Sequence, residues 1–340
     1  MNVRFKNTLS NQNFDVPPVW MMRQAGRYHQ HYQNLRSKHS FMELCKNPDL
    51  ASEVALGPVM DFDFDVSIMF SDLLFPLEAL GMGLDYTDHG PQLGMKLNQD
   101  TWKKLKSAQD ALPGLQFQKE VMKLTRQKIP AHKSVIGFVG GVWTLFVYAV
   151  EGGHAGNLQT SKAEFSLQKM FFERMTDLLA QNIQLQLDGG AEVVMIFDTA
   201  AGEVSPQYFK TLIAPWLLRL ANQFPGKLGY YSKGTQSSFF DQGFRTAPWC
   251  GFGVDHRWDL PSELKLKPKG FVQGNFDQSL LFLDTPDFKT HLRQYFDRYL
   301  QLSPEERANW VCGLGHGVLP KTPEKHVKYF VECAREVFSK

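Results

Sequence analysis

The sequence predicts an α/β chain whose parallel strands close into a somewhat distorted (β/α)8 TIM-type barrel. Short apolar runs alternate with helix-length amphipathic segments, a pattern typical of parallel sheets with helical crossovers. No linker, internal repeat or low-complexity segment divides the 340 residues. We therefore expect residues 1–340 to form a single domain, with an open doubly wound sheet as the alternative closure.

Seven apolar runs are strand candidates, and an eighth is not visible. They are residues 66–70, 134–138, 192–197, 227–231, 250–254, 270–272 and 310–312.

The segments between these runs predict helices, with one exception. The first run leads into a helix over 73–80, and the second passes through a Gly–Gly turn into a helix over 144–151. A long amphipathic helix over 163–187 precedes the third run and ends at a Gly–Gly pair. Residues 85–100 instead favour a loop or hairpin insertion.

Polar and glycine residues follow the predicted strands, where a barrel of this class carries its active site. They are Asp72, Gly140, Gly141, Asp198, Thr199, Ser232, Lys233, Gly234, Asp255, His256, Asn275, Asp277 and His316.

Positive charge is concentrated near the N-terminus, although the formal net charge of the chain is only +2. Residues 16–42 contain Arg23, Arg27, Arg36 and Lys38 but no Asp or Glu. If the segment is helical, Arg23 and Arg27 share one face. Arginine matches carboxylates and phosphates in a forked geometry, so the pattern indicates a site for a polyanionic ligand. A solvated basic helix that pairs with acids elsewhere is the alternative.

Composition and spacing argue against several function classes. The charge is too mild for a nucleic-acid-binding protein, and the most apolar window, 137–150, is too short for a membrane span. No signal-peptide pattern or nucleotide-binding glycine motif occurs. Four scattered cysteines lack zinc-ligand spacing and suit a cytoplasmic protein with reduced thiols.

Residues 18–28, Pro-Val-Trp-Met-Met-Arg-Gln-Ala-Gly-Arg-Tyr, resemble the N-terminal signature of the uroporphyrinogen decarboxylase family. The resemblance continues in order through residues 70–72, 137–152, 197–199, 273–277 and 313–317. It implies a homodimeric carboxy-lyase of haem biosynthesis, without metal or other cofactor. Such an enzyme converts the four acetates of uroporphyrinogen III into methyls and releases four CO2.

The resemblance also implies site roles. Asp72, Arg23 and His316 would be catalytic, with Asp72 at the pyrrole nitrogens and the proton donor undecided between Arg23 and His316. Substrate binding would involve Arg23, Arg27, Arg36, Asp72, Tyr148, Phe197, Thr199 and His316. The residues alone favour a helix N-cap at Asp72, and they leave a half-buried core aromatic as the alternative for Tyr148.

Several positions depart from the family pattern. Gln33 replaces an arginine, Val142 a proline and Thr199 the more frequent serine, while residues 254–256 replace a Leu-Asp-Trp-like stretch. These changes affect the expected rate and substrate preference rather than the reaction.

Two rival functions remain open. A zinc-dependent corrinoid or thiol methyltransferase on the same barrel would need cysteine ligands, and a non-catalytic porphyrin-binding protein would not need Asp72.

Overall fold

The computed structural model describes residues 1–87, 90–153 and 156–339, and its centre is a curled sheet of parallel strands. Seven strands lie side by side in chain order, each paired in parallel with the next. Their bounds are β1 Val66–Ile68, β4 Ser134–Gly140, β5 Val194–Asp198, β6 Leu228–Ser232, β7 Gly251–Val254, β8 Phe271–Phe276 and β9 Trp310–Leu314. All seven predicted strands are confirmed, with ends shifted by a few residues.

Helices connect consecutive strands, as the alternating pattern predicted. The α-helices are α1 Val3–Leu9, α2 Gln30–Arg36, α3 Phe41–Lys46, α4 Pro48–Phe62, α5 Phe75–Leu77, α6 Gln99–Trp102, α7 Ala108–Ala111, α8 Phe117–Lys128, α9 Val142–Glu151, α10 Gln159–Ala163, α11 Phe165–Asp188, α12 Pro206–Tyr208, α13 Ala214–Gln223, α14 Gln242–Thr246, α15 Leu260–Lys265, α16 Thr285–Leu300 and α17 Glu324–Phe338. Short 3₁₀ turns occupy Leu112–Leu115, Ala201–Glu203, Ser237–Phe239 and Gln278–Phe282, and π-helical turns occupy Glu78–Met82 and Phe209–Ile213. The predicted helices over 144–151 and 163–187 correspond to α9 and α11. The one predicted over 73–80 is α5 continued by the first π-helical turn.

Residues 18–20 close the barrel in place of the eighth strand that the sequence did not reveal. Trp20 N–H donates to Cys312 O (3.1 Å), and Cys312 N–H donates to Pro18 O (2.9 Å), on the β9 side. On the β1 side, Asp65 N–H donates to Val19 O (3.1 Å), while Val19 N–H donates to Asp65 Oδ2 (2.7 Å). The segment therefore fills the gap between the two edge strands and leads directly into the arginine-rich stretch.

A short antiparallel hairpin, β2 Asp85–Thr87 with β3 Gly90–Gln92, forms where a loop or hairpin insertion was predicted. Its tip, residues 88 and 89, lies outside the described residues. The hairpin places Tyr86 over the mouth of the barrel beside the β1 end, among the residues that line the principal cavity.

Apolar side chains fill both the interior of the barrel and the layer between sheet and helices. Inside, Trp20 stacks on Phe197 with ring centroids 6.4 Å apart, and Phe197 meets Tyr231 edge-on at 5.9 Å. These rings close the barrel beneath the cavity. Across the described ranges, no helix combines the length and apolar character needed to cross a bilayer.

Candidate active site

A cavity of about 600 Å³ opens at the carboxyl ends of the strands, in the volume range of small-molecule sites. It lies on one side of the barrel mouth, between the N-terminal segment, the ends of β1, β4, β5 and β9, and the hairpin. Its polar lining residues are Arg23, Arg27, Tyr32, Arg36, Ser71, Asp72, Tyr86, Thr87, Thr199 and His316, and its apolar ones include Met22, Ile68, Phe138, Phe197 and Val318. Polar groups thus surround an apolar floor.

Three arginines supply the positive charge of the cavity. Arg23, Arg27 and Arg36 are all solvent-exposed, and no carboxylate of the described residues lies within ion-pair distance of them. The alternative prediction, in which these arginines form ion pairs with acidic residues elsewhere in the chain, therefore does not hold among the described residues. Unpaired guanidinium groups that converge on one cavity are suited to an anionic ligand with several acidic groups.

The local backbone explains how the first two arginines reach the cavity. Residues 21–29 form turns rather than a helix. Arg23 and Arg27 therefore do not share a helical face, and they reach the cavity from separate turns. Arg23 adopts φ +58°, a left-handed conformation that costs non-glycine residues energy and is frequent at functional sites. Its side chain lies against Gly317, where an added Cβ would stand 2.5 Å from Arg23 Cδ. Glycine is needed at 317 to give this arginine room.

Asp72 lies in the turn that follows β1. Its Oδ1 accepts a hydrogen bond from Leu74 N–H (2.9 Å), so the carboxylate closes a turn just ahead of α5, close to the N-cap role considered from sequence. Burial raises the pKa of Asp72 above its ordinary value. The neighbouring Tyr86 hydroxyl, the hydrogen bond from Leu74 N–H and the charge of Arg23 act in the opposite direction. The Asp72 side chain therefore stabilises a turn and also places an ionisable group in the cavity.

Tyr86 is a site residue that the sequence did not identify. Its hydroxyl is buried beside Asp72 and influences that carboxylate, although it makes no hydrogen bond of regular geometry within the described residues. Burial raises the pKa of Tyr86, and the negative charge of Asp72 raises it further, so the phenol stays neutral. The predicted hairpin was the signal that could have placed a residue over the cavity, but nothing in the sequence pairs Tyr86 with Asp72.

Three further predicted residues occupy different positions around the cavity. Phe197 contributes to its floor, and Thr199, one residue beyond β5, exposes part of its side chain to it. Tyr148 is half-buried on α9 and does not appear among the described lining residues. It lies near enough to Asp72 that this charge adds to burial in raising the pKa of the Tyr148 phenol, while Arg23 lowers it.

His316 lines the cavity just after β9, and its ring is held from behind by Tyr231. The Tyr231 hydroxyl lies 3.0 Å from His316 Nδ1 and donates a 2.8 Å hydrogen bond to Gly315 O. The two rings are nearly parallel, 11° apart, with centroids 6.0 Å apart. Tyr231 was recognised in the sequence as part of a strand but not as a partner of the histidine.

Other polar residues at strand ends have structural partners instead of a place in the cavity lining. Buried Asp198 accepts hydrogen bonds from Thr144 Oγ1 (2.6 Å), Thr144 N–H (3.2 Å) and the Tyr230 hydroxyl (3.1 Å), joining β5 to α9. Buried Asn275 donates to Asp255 O and Trp258 O. These residues hold the barrel mouth together, so the prediction that all strand ends share one site was too broad.

The substitutions away from the family pattern also have definite positions. Gln33 is exposed and donates from Nε2 to the backbone oxygen of Arg27 (2.8 Å), so it supports the turn that carries this arginine. Val142 is fully buried in the first turn of α9, where only packing is required of it.

The described residues contain no group of three or more histidine, cysteine or acidic side chains arranged to hold a metal ion. Cys45, Cys250, Cys312 and Cys333 are unpaired and buried, and none belongs to the described lining of the cavity. Burial raises the pKa of each thiol, which disfavours the thiolate that a zinc ligand requires.

Comparison with known proteins gives one consistent result. The model of the uroporphyrinogen decarboxylase (URO-D) family matches residues 1–337. Uroporphyrinogen decarboxylase of Solibacter usitatus is 32% identical over 346 residues, covering 99% of this chain and 98% of the relative. That of Crocosphaera subtropica is 34% identical, covering 95% and 92%. Among solved structures, a methyltransferase from Methanosarcina mazei superposes with a TM-score of 0.78 at 17% identity, covering 100% of this chain and 99% of the other. This last likeness supports the barrel fold alone.

Proposed function

The chain belongs to the uroporphyrinogen decarboxylase family, and we propose that it converts the four acetate side chains of uroporphyrinogen III into methyls. The products are coproporphyrinogen III and four CO2. It is a carboxy-lyase of tetrapyrrole biosynthesis, and the reaction needs no metal or organic cofactor.

The observation that carries this proposal is the charge arrangement of the cavity. Arg23, Arg27 and Arg36 are exposed and have no ion-pair partner among the described residues, and Asp72 is the one carboxylate among the described residues that line the cavity with them. A tetrapyrrole with eight carboxylates carries acidic groups at its rim and four N–H donors at its centre. The arginines can donate hydrogen bonds to the carboxylates at the rim, and Asp72 can accept hydrogen bonds from the N–H groups at the centre.

The pyrrole itself can receive the electrons that decarboxylation releases. Protonation of a ring carbon makes the pyrrole electron-poor, and the bond between the methylene and the carboxylate then breaks with its electron pair entering the ring. CO2 leaves, a proton adds to the exocyclic methylene to form the methyl, and the ring proton departs. Each cycle consumes one proton, and a fixed carboxylate at the pyrrole nitrogens stabilises the positive charge that develops on the ring.

We assign the roles of individual residues as follows. Asp72 orients the pyrrole N–H groups and stabilises the cationic ring. Arg27 and Arg36 hold carboxylates, and Arg23 steadies the reacting acetate. His316 has the chemistry of a proton donor near neutral pH. Thr199 and Tyr148 offer hydroxyl donors to the substrate, and Phe197 packs against its ring.

The two rival functions are less well supported. A zinc-dependent methyltransferase needs thiolate ligands, whereas the four cysteines are buried away from the cavity lining of the described residues. A porphyrin-binding protein without activity has no need for the stabilisation of positive charge on the ring that Asp72 supplies during a reaction.

We further propose that residues 1–340 act as one barrel domain, that two chains form a homodimer, and that the protein is cytoplasmic. The family resemblance supports the dimer. The four unpaired, buried cysteines suit a reducing compartment.

An anaerobic assay tests the proposed reaction. Purified, metal-stripped protein is incubated with uroporphyrinogen III, and the products are oxidised and separated by carboxylate number. We expect species with eight carboxylates to give way, through seven, six and five, to four. Unchanged substrate from folded protein would reject the decarboxylase and favour the binding protein, and activity that returns only with zinc would favour a metalloenzyme.

A further inference from the structure

We infer that the Tyr231 hydroxyl holds the His316 imidazole in one tautomer, with the neutral ring protonated on Nδ1, and fixes its orientation at the cavity. Tyr231 is thus a positioning residue rather than one that touches substrate. The tautomer follows from the structure alone, and its consequence for proton transfer rests on the proposed decarboxylase function.

The two side chains come from neighbouring parts of the barrel mouth. Tyr231 is the penultimate residue of β6 and is fully buried, with its ring inside the barrel, while His316 follows β9. The phenol oxygen lies 2.8 Å from Gly315 O and 3.0 Å from His316 Nδ1. Near-parallel packing of the two rings restricts rotation of the imidazole.

Counting protons determines which nitrogen of the imidazole carries hydrogen. A phenol has one proton, and a backbone carbonyl can only accept, so the Tyr231 proton belongs to the bond with Gly315 O. The remaining bond then requires His316 Nδ1 to donate to the phenol oxygen. Burial raises the pKa of Tyr231, and the charge of Asp255 adds to this effect, so the hydroxyl keeps its proton.

In this tautomer the two imidazole nitrogens have different roles: Nδ1 bonds to the protein, and Nε2 is the site of proton exchange. With Nδ1–H bonded to Tyr231, the lone pair of the neutral ring is on Nε2, and the bond to Tyr231 persists when the ring is protonated. His316 therefore exchanges protons through Nε2, and it does so without breaking its hydrogen bond to Tyr231. In the decarboxylation, this nitrogen would deliver the proton to the substrate carbon and later recover one.

The replacement Tyr231→Phe removes the hydroxyl but keeps the stacked ring. Tyr230→Phe is a matched control, because Tyr230 is the adjacent buried tyrosine of the same strand and its hydroxyl bonds to Asp198 instead (3.1 Å). Nitrogen NMR of the protein labelled with ¹⁵N-histidine reports the tautomer, and His316→Gln identifies the His316 signals among those of the ten histidines.

We expect wild type and Tyr230→Phe to show the Nδ1–H tautomer at His316, and Tyr231→Phe to show a mixture of both. We also expect kcat of Tyr231→Phe to fall about tenfold with KM little changed. An Nε2–H tautomer in the wild type, or an unchanged tautomer in Tyr231→Phe, would overturn the inference. If the wild type does not decarboxylate, the NMR result still decides the tautomer, so the two failures are distinguishable.

Discussion

At Asp72, one side chain combines a structural bond with a charge that the proposed reaction requires. Its Oδ1 accepts from Leu74 N–H, and an asparagine keeps that acceptor. We therefore expect Asp72→Asn to fold normally and to lose about 10²- to 10³-fold in kcat, the usual effect of removing one electrostatic stabiliser of a transition state.

Asp277→Asn is the control for this substitution. Asp277 makes the same kind of turn, accepting from Ser279 N–H (2.9 Å), but it is not among the described cavity-lining residues. Unfolding midpoints and turnover are measured for both variants. Near-normal kcat in Asp72→Asn would remove this carboxylate from the mechanism.

Tyr86→Phe is predicted to move the acidic limb of the pH–rate profile to higher pH. Burial already raises the pKa of Asp72, and the Tyr86 hydroxyl counteracts this by stabilising the carboxylate. Without the hydroxyl the pKa of Asp72 rises further, so the ionised form that the reaction needs persists only at higher pH.

Profiles of kcat/KM against pH for wild type, Tyr86→Phe and Tyr32→Phe measure this effect. Tyr32 lines the same cavity, but its phenol responds to Arg36 and Arg27 rather than to Asp72. An acidic limb that stays in place or moves to lower pH in Tyr86→Phe would show that the hydroxyl does not support the carboxylate.

Sequence reasoning identified charged residues that line the cavity and missed the tyrosines beside them, for a physical reason. A segment with three arginines and no acidic residue can be recognised from the sequence alone, because its unbalanced positive charge indicates an anion-binding site. The contacts of Tyr86 with Asp72 and of Tyr231 with His316 join residues from different elements. Each tyrosine alone is consistent with an ordinary buried aromatic, so only the fold brings the pairs together.

At the scale of elements, the junction between β5 and α9 depends on buried Asp198 and Thr144. Besides donating to the carboxylate, Thr144 Oγ1 accepts from Ala200 N–H (3.0 Å). The carboxylate lies at the N-terminus of α9, where partial positive charge favours an anion, and Gly141 leaves room for it, since an added Cβ would stand 2.6 Å from Asp198 Cγ.

Thr144→Val is predicted to lower the free energy of unfolding by about 1–3 kcal/mol, because buried polar groups lose their partner. Burial raises the pKa of Asp198 to about 6, and the hydrogen bonds from Thr144 and Tyr230 oppose that rise. The protonated acid is favoured in the folded state, so its stabilising contribution is complete at low pH and is lost as pH rises through about 6. The variant should therefore be destabilised more above pH 6, where the carboxylate needs its donors, than well below it.

Urea unfolding on both sides of that pH provides the measurement, with Thr125→Val as control. Thr125 is also fully buried, but its hydroxyl donates to Val121 O within its own helix (2.7 Å). A Thr144→Val destabilisation that is equal at all pH values would show that the hydroxyl does not serve an ionising Asp198.

Secondary-structure elements were predicted correctly where the residues that define them lie within one short segment of the sequence. The strands and the helices α9 and α11 were predicted because their apolar periods and glycine ends lie within one segment. The π-helical turn Glu78–Met82 was not, since Gly81 at φ +97° interrupts an otherwise helical pattern. The hairpin was predicted only in outline, because its strands are three residues each and polar.

At the scale of the whole molecule, the N-terminal segment both closes the barrel and carries the arginines that we propose bind the substrate. The sequence did not reveal residues 18–20 as a strand, because they begin with the second of two consecutive prolines and lie far along the chain from both partners, Asp65 and Cys312. Only closure of the barrel requires a strand there. Arg23 and Arg27 therefore depend for their position on contacts made at the opposite end of the chain.

Gly313→Ala tests this dependence. An added Cβ would stand 2.1 Å from Trp20 O, so the segment must move away from β9. We expect the free energy of unfolding to fall by about 1–3 kcal/mol, typical of overpacking, and KM to rise because the arginines shift. Gly243→Ala, where an added Cβ meets nothing nearer than 3.4 Å, should leave both unchanged. If Gly313→Ala keeps its KM, the closure does not position the arginines.

The central claim is that the arginine-rimmed cavity holds a tetrapyrrole above Asp72. The most direct test is a crystal structure of the protein with coproporphyrinogen III, formed under anaerobic conditions. We predict the Asp72 carboxylate within hydrogen-bond distance of the pyrrole nitrogens, with Arg23, Arg27 and Arg36 at the ligand's carboxylates. A ligand bound outside this cavity, or one whose pyrrole nitrogens face away from Asp72, would contradict the account.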